Sequence, residues 1–385
     1  MVTNSDTQKV SKTKDGILVH IYLILVQKMV MVSNKSISHR KSGKSQLVCR
    51  CLRFAFVVLV GCLIGAEIGV LTKSSSFKSE FVENKQPSYD TYKIAYGTRG
   101  GGEQTAQLVR DAILEGFRAI VTGGHHVTHN ETGVGEGWKA AMAVDSSIKR
   151  TDLFLQTMFV PWDGNDFVAQ PKDPAGFQSL EDQVRCSIEQ SLENLQTTYI
   201  DAVLFHNFRA KMHPYDEIIK AWRVLEEFQQ KGTIRFLGLT NIHNADFLKQ
   251  LHQDSKVKPV IVQNRFHANR GFDVSLQETF DELKIHVQRF WILTGNGSGN
   301  NNKDLAIEKN LTPEQLMLAF VMSLGHTTAL VGTHSKQHMM DDLEVSKRYD
   351  KDIFTEMFTT DQDRIQFAKN IGMKYETRPI VRLSS

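Results

Sequence analysis

From residue 92 onward, short apolar runs alternate with longer stretches in which apolar residues recur every three or four positions. The short runs predict eight strands, at 93–96, 119–122, 153–159, 202–205, 234–239, 260–263, 286–292 and 328–331. The periodic stretches predict helices, at 103–115, 180–195, 216–231, 245–253, 312–322 and 337–347. Strands that alternate with helices are typical of βα units, so residues 92–385 are predicted to form an α/β, TIM (β/α)8 barrel.

Two of the predicted helices carry clear start signals. Ser179 precedes Asp182 at the spacing of a capping box, and Thr312 precedes Pro313, a residue favoured in the first turn. Both signals support the helical prediction at those points.

The pattern before the barrel is different. Residues 54–72, FAFVVLVGCLIGAEIGVLT, form an apolar run of about the length that crosses a bilayer as a helix. We therefore predict a basic, disordered region at 1–53, a transmembrane helix or signal anchor at 54–72 and a polar linker at 73–91. A cleavable signal peptide is the alternative, because small residues end the run. A second apolar stretch, 17–32, is too short and too polar to predict as a span.

Charge suggests an orientation for that span. Basic residues are concentrated before the apolar run, at Lys35, Arg40, Lys41, Lys44, Arg50 and Arg53. By the positive-inside rule the N-terminus is cytosolic, and the barrel lies on the lumenal or extracellular side of a single-pass, type II protein. Three Asn-x-Ser/Thr triplets, at Asn130, Asn296 and Asn310, would then be open to glycosylation.

Composition adds little to this picture. The chain has 385 residues, of which 41% are hydrophobic, and a formal net charge of +3. This charge calls for no nucleic-acid partner. The four cysteines do not have the spacing of a disulfide framework, and they leave the redox compartment open.

Chemistry in a parallel barrel gathers at the carboxyl ends of the strands. These ends are predicted at 121–129, 158–162, 205–208, 239–241, 263–266, 291–296 and 331–338. Candidate functional residues should lie there.

Several of these segments have familiar sequences. GFRAIVTGGHHVTHNETGVGEGW, at 116–138, resembles the second-strand signature of the aldo-keto reductases. Further segments resemble the same family in the same order, at 191–207, 232–241, 290–296 and 330–343. The resemblance covers about residues 92–373, and it implies NADP(H)-dependent hydride transfer between a dinucleotide and a small carbonyl or alcohol substrate.

The resemblance also places the family's catalytic positions. A tyrosine of the family donates a proton, a lysine held by an aspartate lowers the tyrosine pKa, and a histidine orients the substrate. In this chain Val121 stands at the aspartate position, His129 at the tyrosine position and Met158 at the lysine position, while His206 is kept. A shorter loop in other members would shift the tyrosine match to Thr128.

These substitutions leave three hypotheses. The first is a membrane-tethered barrel with weak or no standard reductase activity, including a non-catalytic dinucleotide-binding sensor or interaction protein. The second is an active oxidoreductase with a rebuilt site that uses His129 and His206, with His125 and His126 nearby. The third is a non-catalytic lumenal interaction domain that no longer binds the cofactor. The same histidines are candidates for a metal site, but no carboxylate or cysteine stands at recognisable ligand spacing, so no metal is predicted.

The cofactor positions are better kept. By resemblance Thr240, Asn241 and Gln263 hold the nicotinamide carboxamide, and Trp291 stacks on its ring. Residues after the eighth strand would receive the adenosine 2′-phosphate, namely Gly332, Thr333, Lys336 and His338. Lys336 and His338 supply positive or potentially positive groups, so NADP(H) is preferred to NAD. Because no arginine is present in that segment, the expected affinity for NADP(H) is reduced. The Gly/Asn-rich loop 294–303 is predicted to be flexible.

Overall fold

The structure, a computed structural model, describes residues 86–161, 179–206, 213–296, 302–350, 358 and 360–375. The predicted N-terminal region 1–53, the predicted span 54–72 and residues 73–85 of the predicted linker lie outside these residues. Within the described ranges, no helix is both long and apolar enough to span a bilayer.

Eight parallel strands close into one barrel, in which each strand pairs with its neighbours in the sequence and the last pairs with the first. They are β1 Ile94–Gly97, β2 Ala119–Val121, β3 Phe154–Phe159, β4 Ile200–His206, β5 Ile234–Thr240, β6 Ile261–Arg265, β7 His286–Phe290 and β8 Thr327–Val331. All eight predicted strands and the TIM-barrel class are confirmed.

Helices surround the barrel. They are α1 Thr105–Glu115, α2 Glu131–Val144, α3 Leu180–Asn194, α4 Tyr215–Gln230, α5 Ala245–Asp254, α6 Gln277–Glu282, α7 Ile292–Asn296, α8 Lys303–Glu308, α9 Pro313–Met322, α10 Lys336–Asp350 and α11 Asp361–Asn370. The six predicted helices are present as α1, α3, α4, α5, α9 and α10. Both predicted start signals are confirmed: Ser179 Oγ accepts from the Asp182 amide at 3.2 Å, and Thr312 forms a capping box with Gln315.

Helix α2 was not predicted, because glycines are poor helix formers and three of them interrupt its apolar pattern. The structure shows why they are there. A β-carbon on Gly135 would lie 2.4 Å from the Asn194 carbonyl oxygen, and one on Gly137 would lie 2.6 Å from that of Ala106. These glycines let α2 pack directly against α3 and α1. The glycines of the 116–138 segment therefore support the fold rather than the chemistry of the site.

A chain of three glutamines crosses the barrel interior. Gln156 on β3 and Gln288 on β7 exchange amide hydrogen bonds of 2.7 and 2.8 Å. Gln263 on β6 donates from Nε2 to the Gln288 Oε1 at 2.8 Å. All three side chains are buried, and these bonds satisfy the polar groups that burial would otherwise leave unpaired.

Strand β7 ends two residues earlier than predicted. Trp291 adopts φ 61°, a left-handed conformation that a bulky side chain rarely takes, and helix α7 begins at the next residue. Residues 294–296 of the predicted flexible loop therefore belong to a helix, and 297–301 lie outside the described residues.

Candidate active site

A cavity of about 810 Å³ opens at the carboxyl ends of the strands. It is lined by nearly all of the residues predicted to form the site, namely Val121, His129, Met158, His206, Thr240, Asn241, Gln263, Trp291, Gly332, Thr333 and His338. Lys336 is the exception. Its Nζ lies 2.7 Å from Glu115 Oε1 on α1, and it does not line the cavity.

Val121 and Met158 form an apolar part of the cavity wall. Val121 pairs in register with Gln156, so Met158 stands two residues further along the neighbouring strand and on the same face. Both side chains are buried in one hydrophobic cluster. Met158 also contacts the backbone at Gly123, where an added β-carbon would lie 2.7 Å from Met158 Cγ. The Met158 thioether and the Val121 isopropyl group thus fill the space that a lysine–aspartate ion pair would need.

The tight turn that carries His129 is held by its own hydrogen bonds. The His129 amide donates to the His125 carbonyl at 2.9 Å, and Thr128 Oγ1 lies 2.9 Å from His129 Nδ1. Burial, followed by the charges of His125, Arg99 and His206, lowers the pKa of His129 to about 4. His129 is therefore uncharged at neutral pH, and an uncharged imidazole is a poor proton donor.

These histidines do not form a metal site in the part of the chain that the structure describes, where no group of three or more His, Cys, Asp and Glu side chains could hold an ion. The pKa of His125 is also lowered, first by burial, and neighbouring His126 and Arg99 lower it further. The neighbours of His125 and His129 therefore act on both side chains as positive charges.

His206 lies at the end of β4, next to Asn241. Asn241 Nδ2 is 3.3 Å from His206 Nε2. Asn241 follows β5 in a left-handed conformation, φ 59°, which asparagine tolerates better than most residues. The backbone N–H of Asn241 donates to the backbone carbonyl of Gln263 at 2.9 Å, which fixes the turn at the edge of the cavity. The two residues that best keep the family pattern are thus in direct contact.

Trp291 and Arg265 line the cavity at the ends of β7 and β6. The Arg265 guanidinium lies 4.5 Å from the centroid of the Trp291 ring, within the range of a cation–π contact. Trp291 is 37% exposed, and its left-handed backbone is the kind of strain that clusters at functional sites. Sequence reasoning missed Arg99 and Arg265 as site residues, although both line the cavity at strand ends.

Another part of the same cavity is acidic, where Glu314, Asp341 and Asp342 line the wall. Burial, and then the charge of Asp341, raise the pKa of Asp342 to about 7. This region lies beside His338 on α10, where the sequence predicted the 2′-phosphate. With Lys336 paired to Glu115, the described residues provide carboxylates there and no lysine or arginine.

A second cavity, of about 450 Å³, lies on the other side of the His129 turn. Its wall includes Glu131, a buried carboxylate that accepts from Thr157 Oγ1 at 2.5 Å, Ser191 Oγ at 2.8 Å and Asn194 Nδ2 at 3.2 Å. Burial raises the pKa of Glu131, and these hydrogen bonds oppose the shift. Glu131 therefore ties α2 to β3 and α3 behind the site.

The residues present fit one end of a nicotinamide dinucleotide. Gln263 uses its Nε2 for Gln288, and its Oε1 has no hydrogen-bond partner among the described residues, which suits an incoming amide donor. Thr240 and Asn241 line the same wall, and Trp291 offers an exposed ring face. The acidic region near α10 does not fit an additional phosphate.

Comparisons with known proteins agree with this geometry. The family model described as Aldo/keto reductase family matches residues 93–282. The chain is 27% identical over 246 residues to an uncharacterized oxidoreductase of Schizosaccharomyces pombe, which is 58% of this chain and 68% of that protein. It is 26% identical over 273 residues to methylglyoxal reductase of Escherichia coli, covering 69% and 88%, and 30% identical over 166 residues to glyoxal reductase of Bacillus subtilis, covering 43% and 50%.

Solved structures share the fold. An aldose reductase from Schistosoma japonicum aligns with a TM-score of 0.58 at 18% identity, over 74% of this chain and 90% of that one. A Bombyx mori aldo-keto reductase in complex with NADP aligns with a TM-score of 0.55 at 23% identity, over 72% and 89%. At these identities the structures support the barrel and leave the activity to be argued from the site.

Proposed function

Because this chain belongs to the aldo-keto reductase family, we propose that its barrel binds a nicotinamide dinucleotide and reduces small carbonyl compounds slowly, without the proton donor of the family. The observation that carries this proposal is the cavity at the strand ends. It keeps His206, Asn241 and Trp291 in its wall, while Val121 and Met158 form an apolar cluster where an aspartate and a lysine would stand.

Thr240, Asn241 and Gln263 would hold the carboxamide, and Trp291 would stack on the nicotinamide ring. When bound, the dinucleotide supplies a hydride to the carbonyl carbon of the substrate. His206 would orient the carbonyl oxygen, since its imidazole is fixed beside Asn241.

The proton for the carbonyl oxygen must come from water or from His206, because His129 is uncharged at neutral pH and no tyrosine is present at its position. Loss of a positioned general acid typically lowers a rate by about 10²–10⁴-fold. Orientation of the reactants contributes separately, so a slow reaction is expected to survive.

NADP(H) is the cofactor expected from the family. We propose that this chain binds it with reduced affinity, because Asp341 and Asp342 line the cavity beside the segment that would receive the 2′-phosphate. Lys336, the cation of that segment, is paired with Glu115.

Titration of the full-length protein with NADPH, followed by tryptophan fluorescence, tests the proposal. Binding should quench Trp291 and transfer energy to the reduced ring. Trp291→Phe should lose most of the quenching but keep binding, and Asn241→Ala should weaken binding measured by calorimetry. Absence of binding at millimolar NADPH or NADH would rule out the dinucleotide proposal.

A second candidate is a non-catalytic sensor that binds the dinucleotide without turning it over. The apolar contact between Met158 and Gly123 supports it, because the space of the ion pair is fully repacked. Single-turnover reaction of bound NADPH with methylglyoxal separates the two candidates. Oxidation of the cofactor supports the slow reductase, and stable binding without oxidation supports the sensor.

We also propose that residues 54–72 anchor the protein in a membrane, with the barrel on the lumenal or extracellular side. The support is the length of the apolar run and the basic residues before it. Protease protection of the barrel in intact microsomes tests this orientation.

A further inference from the structure

Two arginines stand at the mouth of the main cavity. Arg99 follows β1 by two residues and is exposed, while Arg265 is the last residue of β6 and is partly buried. Both line the cavity that contains His129 and His206. Neither arginine forms an ion pair with another element of the barrel among the described residues, and the contacts of Arg265 are with the aromatic rings of Phe290 and Trp291.

In the part of the chain that the structure describes, the two arginines have no anionic partner. No carboxylate lies within ion-pair distance of Arg99 or Arg265 among the described residues, and Arg265 Nε is buried there without a hydrogen-bond acceptor. The groups that act on Arg265 are also cationic: burial lowers its pKa first, and Arg270 and Arg99 lower it further. A buried donor without an acceptor costs free energy that a ligand can recover.

Aromatic rings hold Arg265 in place. Its guanidinium lies 4.5 Å from the Trp291 ring centroid and 5.7 Å from that of Phe290. Contact with a ring face leaves the N–H groups at the guanidinium edge available for an acceptor. A guanidinium edge matches the two oxygens of a carboxylate in geometry and charge.

We propose that Arg99 and Arg265 bind the carboxylate of the substrate, so that the carbonyl compound reduced in this cavity is an oxo acid. This inference rests on the proposed function for the carbonyl group, and on the two arginines alone for the acid group. The carboxylate is unchanged in the reaction. The oxo carbon gains a hydride from the dinucleotide, the oxo oxygen gains a proton from water or from His206, and the product is a hydroxy acid.

The charge distribution of the cavity favours a small ligand with its anion at one end. Carboxylates of Glu314, Asp341 and Asp342 line another part of the wall, and cations line the mouth. A cleft that carries one sign of charge at its mouth raises the local concentration of the opposite ion. An anchored carboxylate would also orient the carbonyl, which matters more in a site that lacks its general acid.

Calorimetric titration of the full-length protein without dinucleotide tests the inference. The probes are 2-oxobutanoate, its neutral methyl ester, inorganic phosphate and NADPH. The oxo acid should bind at least 10-fold more tightly than the ester. Arg99→Met and Arg265→Met should each weaken its binding by about 10-fold to 100-fold, as expected for a lost hydrogen bond to a charged group. Arg99→Lys should retain part of the affinity.

Arg270→Met is the matched control, because Arg270 is an exposed cation near Arg265 that does not line the cavity. It should leave oxo acid binding within about two-fold of wild type. Thermal unfolding of each variant checks that the barrel is intact. If Arg265→Met does not fold, Arg99→Met, at an exposed position, still decides the matter.

Three outcomes overturn the inference. They are equal binding of acid and ester, unchanged acid binding in both arginine variants, or phosphate binding as tight as that of the oxo acid. A fourth result, in which both variants weaken NADPH binding as much as acid binding, assigns the arginines to the dinucleotide. Since the titrations contain no cofactor turnover, failure of the reductase proposal leaves this result readable.

Discussion

Met158 packs against Gly123 so closely that a β-carbon at position 123 would lie 2.7 Å from Met158 Cγ. The contact explains why the substitutions at this site must be considered together. Met158→Lys alone would bury an ammonium group among Val121, Ala95 and Phe154, in a cluster with no acidic member.

We expect Met158→Lys to lower the free energy of unfolding by roughly 3 kcal/mol, the cost of a buried charge without a partner. Adding Val121→Asp should recover part of that loss, because the two positions lie on the same face of neighbouring strands. Urea denaturation of the two single variants and the double variant measures the coupling. Met158→Leu, which conserves volume, should cost less than about 1.5 kcal/mol. A fully stable Met158→Lys would contradict the apolar description of this wall.

His129 should titrate far below an ordinary histidine. Burial and neighbouring positive groups lower its pKa to about 4, against about 6.5 in the unfolded chain. Between these values the unfolded state binds more protons, so the contribution of His129 to stability is complete above pH 6.5 and is lost as the pH falls toward 4.

The measurement is the imidazole titration of His129 by NMR, assigned with His129→Gln, together with unfolding curves from pH 7 to 4. The variant should show a shallower loss of stability with acid. His126→Gln, an exposed position on the same turn, is the control. Addition of an oxo acid should raise the His129 pKa, because a bound anion offsets Arg99. A His129 titration midpoint near 6.5 in the free protein would contradict this prediction.

Asp342 should limit binding of a 2′-phosphate. Burial and Asp341 raise its pKa to about 7, so it gains charge as the pH rises through 7. NADPH affinity should then fall relative to NADH affinity between pH 6 and 8. Asp342→Asn should raise NADPH affinity by about 10-fold, an effect of roughly 1.4 kcal/mol, and change NADH affinity little.

Glu344→Gln is a control for that experiment, because Glu344 is an exposed acid on the same helix that pairs with Arg348. Both affinities should stay unchanged in this variant. An equal gain for NADH and NADPH in Asp342→Asn would mean that Asp342 does not face the phosphate.

Glu131 should be a strong point of stability. Its carboxylate accepts from Thr157, Ser191 and Asn194, and Glu131→Ala would leave these donors unsatisfied in a buried place. We expect a loss of about 3 kcal/mol in urea denaturation, and a smaller loss for Glu131→Gln, which keeps one acceptor. Glu136→Ala, at an exposed position of the same helix, should be nearly neutral. A mild effect of Glu131→Ala would show that the network relaxes.

If the barrel is lumenal, glycosylation should occur at Asn310. Asn130 Nδ2 donates to the Gly102 carbonyl, and Asn296 Nδ2 donates to the Phe266 and Ile292 carbonyls, so both amides are in use. Asn310 is exposed at the start of the turn before α9. Expression in eukaryotic cells should give one endoglycosidase-sensitive band shift, which Asn310→Gln removes. A shift that persists in this variant would point to one of the other two triplets.

The barrel could be predicted from the sequence because its strands and most of its helices have strong periodicity and clear start signals. Helix α2 could not, since the need for Gly135 and Gly137 comes from contacts with α3 and α1 that only the fold brings near. The strand-end rule located most of the cavity wall. It did not predict that the Lys336 side chain lies outside the cavity wall, because its ion pair is with Glu115, more than 200 residues earlier.

The glutamine chain joins Gln263, a residue of the cavity wall, to side chains of strands on opposite sides of the barrel. Gln263 would touch a bound ligand, and through Gln288 it is joined to Gln156, the register partner of Val121. We therefore expect a ligand that bonds to Gln263 Oε1 to affect, through Gln288, a side chain on β3, the strand that carries Met158. The NMR signals of the Gln156 side-chain amide should then report whether the site beside Gln263 on β6 is occupied.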